Sequence, residues 1–211
     1  MFIDDYSRKV WDYFLKHKDE ALNVFKTFVT HVENQSGKKL KCLRTDSGGE
    51  YVSKAFQDFC ESKGIKRELT ASYNPSQNGV AERMNMTIQE KVRSMLYNAQ
   101  LPNGFWAEAV ATAVHLIKRS LSMVLEKDSM AEMVWSSKKP SYKHLRVLGC
   151  ESFSHVPKEF RNKLETKSRK CIFLSYGDSV VQTFILADFC YYYVKSVVEG
   201  QSVMRLPTGV V

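Results

Sequence analysis

Across residues 2–119 two hydrophobic textures take turns: short runs rich in aromatic and β-branched residues, and longer segments whose apolar positions recur every three or four residues. The first texture suits strands and the second suits amphipathic helices. "FIDDYSR" and "VWDYFLK" read as two strands joined around Ser7 to Lys9. Lys18 to about Gln35 reads as a helix with Ala21, Val24, Phe25, Phe28 and Val32 on one face, stopped by Ser36 and Gly37. "KLKCLRTD" is the next strand, and Ser53 can cap a helix whose inner face is Ala55, Phe56, Phe59 and Cys60, with Gly64 as its stop. "IKRELTA" is a further strand and "SYNPSQNG" a loop. A long helix from Gly79 to about Asn98 carries the stripe Val80, Met84, Ile88, Val92, Met95 and Ala99. After the turn Leu101 to Gly104, a helix from Phe105 to Arg119 has Trp106, Ala109, Val110, Ala113 and Ile117 inward. That order predicts a mixed α/β sheet covered by helices, in which chemistry gathers where strands end.

From Pro140 the texture changes to short β-like runs, "LRVLGCESFSHV" and "KCIFLSY", divided by a basic segment. The expected division is a core over 1–125, a linker over 126–139, a small β domain over 140–200 and a tail over 201–211. Charge follows the same division. Lys138 to Lys170 hold ten Lys or Arg against three Glu, so that stretch carries +7 of the chain's net +8. A local cationic patch favours a polyanion, most often nucleic acid, although a solvated face has the same composition. Five cysteines, widely spaced and without a C-x-x-C pair, argue against a disulfide framework and point to buried free thiols. The five histidines lack metal-ligand spacing to one another or to a cysteine. No apolar stretch approaches a membrane span and no leader opens the chain, so an intracellular protein of nucleus or cytoplasm is expected, without membrane partners.

The acidic groups with most chemical promise are Asp46 and Glu82. In "LRTDSGGEY" Asp46 closes a strand and is followed by Gly48 and Gly49, which clear space around its carboxylate; Asp before Gly is also a common turn. Glu82 sits on the first turn of the long helix, on the face continued by Met86, Gln89 and Arg93, where the helix dipole favours a carboxylate and a capping role is the plain alternative. Oxygen ligands from a strand end and a helix entry that converge would suit Mg²⁺ or Mn²⁺.

"LRTDSGGEY", "YNPSQNGVAERMN" and "FWAEAV" resemble the integrase core of copia-type LTR retrotransposon Pol polyproteins, a retroviral-integrase-like group with a ribonuclease-H-like fold. "FIDDYSRKVWDYFLK" resembles the second and third strands of that core, and "KPSYKHLRVLGCESFSHVPKEFRNKLETKSRKCIFLSY" the SH3-like β domain that follows it. The likeness covers residues 2 to about 177. It implies an α/β fold: a ribonuclease-H-like mixed sheet with helices on both faces and its first strand missing, followed by a small SH3-like β domain.

The resemblance further implies DNA integration by metal-dependent phosphoryl transfer. Three carboxylates hold two Mg²⁺ or Mn²⁺ ions that stabilise attacking and leaving oxygens. The DNA partners would be element ends and target DNA, and the complete enzyme would be a homo-oligomer. Asp46 and Glu82, 35 residues apart as in the family's second and third carboxylates, would be catalytic metal ligands. Tyr73, Asn74, Gln77 and Asn78 would contact substrate from a flexible loop, with Gly79 as its hinge. Lys138, Lys139, Lys143, Arg161, Lys163, Lys167, Arg169 and Lys170 would contact nucleic acid.

The family's first catalytic Asp lies on a strand before the one that opens this chain; Asp4 and Asp5 match the second strand instead and read as turn or salt-bridge residues. A missing central strand would leave backbone groups unpaired at roughly 1–3 kcal/mol each, against about 5–15 kcal/mol of net stability for a domain. The chain alone is therefore expected to be inactive and poorly stable. Met86 stands where the family is usually basic, the family's upstream zinc-binding region is missing, and the final "FILADFCYYYVKSVVEGQSVMRLPTGVV" lacks the family's closing pattern; together these suggest a truncated, decaying copy. A non-catalytic nucleic-acid-binding remnant is the alternative, and hydrolysis of RNA in hybrids a third reading on the same fold.

Overall fold

The structure is a computed structural model, and it describes residues 1–70, 79–126 and 129–176. The chain divides into two compact units, one formed by Tyr13–Thr87 with Met1, the other by Phe2–Asp12 with the residues from Ile88 onward.

In the first unit, α1 (Ala21–Ser36) follows a 3₁₀ turn at Lys18–Glu20 and ends at Gly37, whose φ of 65° is the left-handed conformation that glycine adopts without strain. Its period of 3.6 buries Phe25, Phe28, Val29 and Val32 on one side. A short helix α2 (Gly49–Val52) leads to α3 (Lys54–Lys63), where the Ser53 hydroxyl accepts from the Phe56 amide and Gly64 closes the helix at φ 67°. Phe56 and Cys60 are buried, but Ala55, expected inward, is exposed. The rings of Phe25 and Phe56 stack at 5.0 Å and Phe59 meets Phe25 edge-on at 5.8 Å, so α1 and α3 share one aromatic core. Each buried ring contributes about 1.5–3 kcal/mol. Strand β3 (Cys42–Thr45) pairs in parallel with β4 (Lys66–Leu69), Cys42 opposite Lys66 and Thr45 opposite Leu69.

In the second unit, β1 (Phe2–Ile3) and β2 (Val10–Trp11) form an antiparallel hairpin shorter than the two strands expected. The turn consumes the intervening residues: the Asp4 carboxylate accepts from both the backbone N–H and the hydroxyl of Ser7 at 2.7 Å, and Arg8 sits at φ 59°. The Asp5 carboxylate pairs with Arg8 at 2.8 Å. Both acids thus take the turn and salt-bridge roles expected of them. Lys9 is buried, with its Nζ 3.1 Å from Glu132 and 5.5 Å from the ring centroids of Trp11 and Trp135. Glu132 and Trp135 lie on α6 (Ala131–Ser136), a helix that sequence periodicity does not reveal in six residues.

Helix α4 (Gly79–Ala99) runs through both units, and α5 (Trp106–Lys118) follows a 3₁₀ turn at Asn103–Phe105. Trp106, expected inward, is 54% exposed; Phe105, Ala109, Thr112, Ala113 and Val114 are buried instead. The helix begins at Trp106 itself, so the first buried ring comes from the turn that precedes it. Strands β5 (Glu151–His155) and β6 (Ser168–Ile172) pair antiparallel. Leu148 and Leu174, flanking that ladder, join Leu96, Phe105 and Ala109 in one core. Gly149 approaches α4 closely enough that a Cβ would lie 2.6 Å from that of Ala99.

Both parallel and antiparallel ladders are present, as the mixed sheet requires, but among the described residues they form three separate pairs. No helix is long and apolar enough to cross a membrane among the described residues.

Candidate metal and nucleic-acid site

Asp46 is the first residue past β3 and is exposed. Two bonds fix the strand end behind it: the Thr70 amide donates to the Thr45 carbonyl at 2.9 Å, and the Ser47 hydroxyl donates to the Thr70 carbonyl at 3.3 Å. Asp46 Oδ1 accepts from the Gly48 amide at 3.1 Å, which sets the carboxylate over the turn. The two glycines have different functions. A Cβ on Gly48 would lie 3.0 Å from Asp46 Oδ1 and 3.1 Å from Glu50 Oε2, so this residue must be small for two carboxylates to approach it. Gly49 faces open space, and a side chain there would meet nothing within 4 Å. Glu50 is a member of this corner that sequence reasoning misses, although it lies within the same nine residues as Asp46. The Tyr51 hydroxyl completes the corner, its pKa raised first by burial and then by the charges of Glu50 and Asp46. Arg67 of β4 donates to the Tyr51 carbonyl and lies over the Phe56 ring, anchoring α2 to the parallel pair.

Glu82 lies on the first turn of α4, in the same compact unit as Asp46, and it too is exposed. Met86, Gln89 and Arg93, which continue its face, are also exposed. Among the described residues neither Asp46 nor Glu82 forms an ion pair, unlike Glu33, Glu68 and Glu151. Lys39 and the Leu40 amide hold the Glu33 carboxyl below its usual range, and Lys66 and Arg44 do the same for Glu68. The two candidate acids therefore offer oxygens that form no ion pair among the described residues. Among those residues no group of three His, Cys, Asp or Glu forms a metal cluster. Gly79 is the first residue of α4, and its missing side chain leaves room for Arg83, whose Nη1 would lie 3.1 Å from a Cβ. Tyr73, Asn74, Gln77 and Asn78 lie outside the described residues.

The basic residues of the second unit differ in availability. Lys138, Lys139, Lys143, Lys163, Lys167 and Arg169 are exposed and in no ion pair among the described residues. Lys170 pairs with Glu151 across the β5–β6 ladder, and Arg161 donates through Nε to the Val156 carbonyl at 3.1 Å, so both are partly committed to the fold. Exposed Phe153 and Phe160 lie among these cations in the chain. Of the four cysteines among the described residues, Cys60 is buried, Cys150 and Cys171 are half-buried, and Cys42 is exposed; all four are free thiols. The expectation of buried thiols fails at Cys42, because alternate residues of β3 face solvent.

The histidines hold a feature that linear spacing could not show. His115 of α5 and His144 place their Nε2 atoms 3.1 Å apart. The ring of Tyr176 stacks on His115 at 4.1 Å, and burial, with Arg119, Lys118 and His144 adding to it, lowers the His115 pKa to about 4.

Residues 1–75 match the family model of the integrase core domain, and residues 150–182 match that of the retroviral polymerase SH3-like domain. The chain is 56% identical over 177 residues to the retrovirus-related Pol polyprotein from transposon TNT 1-94 of Nicotiana tabacum, an alignment covering 84% of this chain and 13% of that protein. It is 32% identical over the same length to the Pol polyprotein from transposon RE1 of Arabidopsis thaliana, covering 12% of that protein. The chain therefore spans about an eighth of the length of these relatives. Among solved structures it superposes on a chain of the simian T-cell lymphotropic virus intasome in complex with PP2A regulatory subunit B56 gamma, with a TM-score of 0.52, 20% identity and coverage of 83% of this chain and 62% of that one. The fold is thus that of a ribonuclease-H-like integrase core with an SH3-like region after it. The chain belongs to the integrase-core family of copia-type plant retrotransposon Pol polyproteins.

Proposed function

We propose that this chain is the part of a Pol polyprotein that handles DNA ends during integration, with Asp46 and Glu82 as ligands of divalent cations. The observation that carries this reading is the pair of exposed carboxylates, free of ion pairs among the described residues, at a strand end and a first helix turn of one compact unit. Hard oxygen donors of this kind fit Mg²⁺ or Mn²⁺. When bound, such ions supply Lewis-acid stabilisation of the oxygens that exchange at phosphorus. Asp46 and Glu82 hold the cations, Glu50 adds negative potential beside Asp46, and the open space at Gly49 admits a phosphodiester backbone. Tyr73, Asn74, Gln77 and Asn78 contact DNA, and Gly79 follows them at the start of α4. A third carboxylate and further copies of the protein complete the catalytic assembly. Residues 1–125 form the catalytic core in this reading, 126–139 the linker and 140–200 the SH3-like domain.

A Mn²⁺ titration followed by water-proton relaxation tests the site. Asp46→Asn and Glu82→Gln should each weaken Mn²⁺ binding at least tenfold, while Glu33→Gln leaves it unchanged. Equal binding by all four proteins would remove both acids from the metal site.

The second reading, nucleic-acid binding without catalysis, is favoured by Lys163, Lys167 and Arg169, which are exposed and outside any ion pair among the described residues. Cations offered in this way contact phosphates whether or not a metal site is complete. The two readings are compatible within one chain, since the carboxylates and the basic stretch lie in different units.

A further inference from the structure

We propose that His115 and His144 form a binding site for a transition-metal dication of borderline character, with Cu²⁺ the strongest occupant and solvent completing the coordination. The site is separate from the carboxylates above and differs from them in chemistry. Its two nitrogens are brought together by the fold: His115 stands on the last turns of α5 and His144 on the segment leading to β5, and their Nε2 atoms are 3.1 Å apart. With metal–imidazole bonds of about 2.0–2.1 Å, that separation subtends roughly 100° at a shared ion, between the square-planar and tetrahedral angles.

The surroundings hold both rings in place. Tyr176 stacks on His115 with an interplanar angle of 14° and meets His144 edge-on at 90°. The tyrosine is itself fixed, because its hydroxyl donates to the Arg146 carbonyl at 2.6 Å and accepts from the Arg146 amide. Arg119 donates to the His115 carbonyl at 3.0 Å, and its own carbonyl accepts from the Tyr142 hydroxyl at 3.1 Å, which ties the end of α5 to the segment carrying His144. Without metal the 3.1 Å contact is a hydrogen bond in which one Nε2–H donates to the other Nε2; an ion shared by both nitrogens replaces that proton, which moves to Nδ1 of the same ring, while the neighbours hold both rings in place.

The nitrogen donors decide which ion. His115 faces Lys118 and Arg119 from its own helix, and His144 and Tyr176 from the elements packed on it. Those cations repel every dication equally, so a hard ion such as Mg²⁺, which gains little from nitrogen donors, does not bind here. A metal that forms strong bonds to imidazole nitrogen does, and Cu²⁺ heads the order among divalent first-row ions.

The test is titration of the full 211-residue chain with Cu²⁺ at neutral pH, followed by low-temperature electron paramagnetic resonance. The expected result is one equivalent bound, with superhyperfine coupling to two imidazole nitrogens that a tenfold excess of Mg²⁺ leaves intact. His144→Ala, at an exposed position, should lower the affinity at least tenfold and abolish the two-nitrogen pattern, while His31→Ala, on α1, changes neither. Absence of stoichiometric binding, displacement by Mg²⁺, or a spectrum unchanged in His144→Ala would overturn the proposal. If His144→Ala does not fold, substoichiometric Zn²⁺ added to the ¹⁵N-labelled wild-type chain decides: shifts confined to the Nε2 of His115 and His144 support the site, and any other pattern refutes it.

Discussion

Gly149→Ala is the substitution whose cost follows most directly from the geometry. Gly149 has φ 80°, and a Cβ added there would lie 2.6 Å from the Ala99 Cβ and 3.3 Å from its Cα. Placing an L-residue in the left-handed region costs about 1–2 kcal/mol. Forcing a methyl group against the last residue of α4 adds about 1–3 kcal/mol of overpacking, because Ala99 cannot rotate away and its backbone is helical. The sum is about 2–5 kcal/mol, a large share of a domain's net stability. Gly37→Ala serves only as a control for which unit is read out: Gly37 has φ 65° with open space around it and lies in the other unit, so its left-handed strain falls outside the unit that contains Gly149. All three tryptophans, Trp11, Trp106 and Trp135, lie in the unit that contains Gly149. Tryptophan emission during urea unfolding therefore reports that unit selectively. With a urea dependence of about 1–3 kcal/mol per molar, Gly149→Ala should lower the midpoint by about 0.7 M or more, while Gly37→Ala, in the unit without tryptophan, leaves it in place. Adding Ala99→Gly should recover part of the loss, less about 1 kcal/mol for glycine in a helix. A midpoint for Gly149→Ala equal to that of wild type would refute the close packing of this glycine on α4.

Three further outcomes concern the second unit. Lys9→Met leaves Glu132 without its partner and removes a cation from between two indole rings, so the tryptophan-reported stability should fall by about 3 kcal/mol, with partial recovery in the double variant with Glu132→Gln. Because the His115 pKa is lowered to about 4 from 6.5, the unfolded chain binds more protons between those values, and stability is lost as pH falls from 6.5 towards 4. With the ring half-exposed, solvent screening reduces this to about 1–2 kcal/mol, seen as the difference between wild-type and His115→Gln melts over that range. Replacing Lys163, Lys167 and Arg169 together by Ala should weaken binding to duplex DNA and flatten the dependence of log affinity on log salt by about 0.9 for each phosphate no longer neutralised; an unchanged slope would mean that other residues hold the DNA.

Where a local rule suffices, the fold is legible in the sequence. The period of Phe25, Phe28 and Val32, the Ser53 cap and the terminating glycines 37 and 64 each depend on neighbours within one or two turns, and each element lies where its residues indicate. Trp106 departs from that pattern because helical spacing counts an apolar ring as inward wherever the stripe passes, whereas this ring lies at the very start of the helix. Helix α6 escapes a periodicity argument because six residues give less than two turns of pattern; its stability comes from Lys9 and Trp11, more than 120 positions away. Glu50 is legible in principle, since it lies four residues after Asp46, but it is the turn at Gly48 that brings both carboxylates to one point.

The grouping of the second unit explains why some of its chemistry could not be read along the chain. A change of texture near Pro140 marks where short strands begin, yet Leu148 and Leu174 on either side of those strands bury their side chains with Leu96, Phe105 and Ala109 of the preceding helical segment. The Thr112 hydroxyl donates to the Leu174 carbonyl at 3.3 Å within the same buried layer. Once that layer forms, the end of α5 and the segment before β5 have little freedom, and His115, His144 and Tyr176 meet as a consequence of packing. Asp46 and Glu82, by contrast, depend on the other unit, whose aromatic core of Phe25, Phe56 and Phe59 is assembled from α1 and α3. The two carboxylates on one unit and the imidazole pair on the other therefore answer to different cores, so loss of packing at Gly149 reaches His115 and His144 without requiring any change at Asp46 or Glu82.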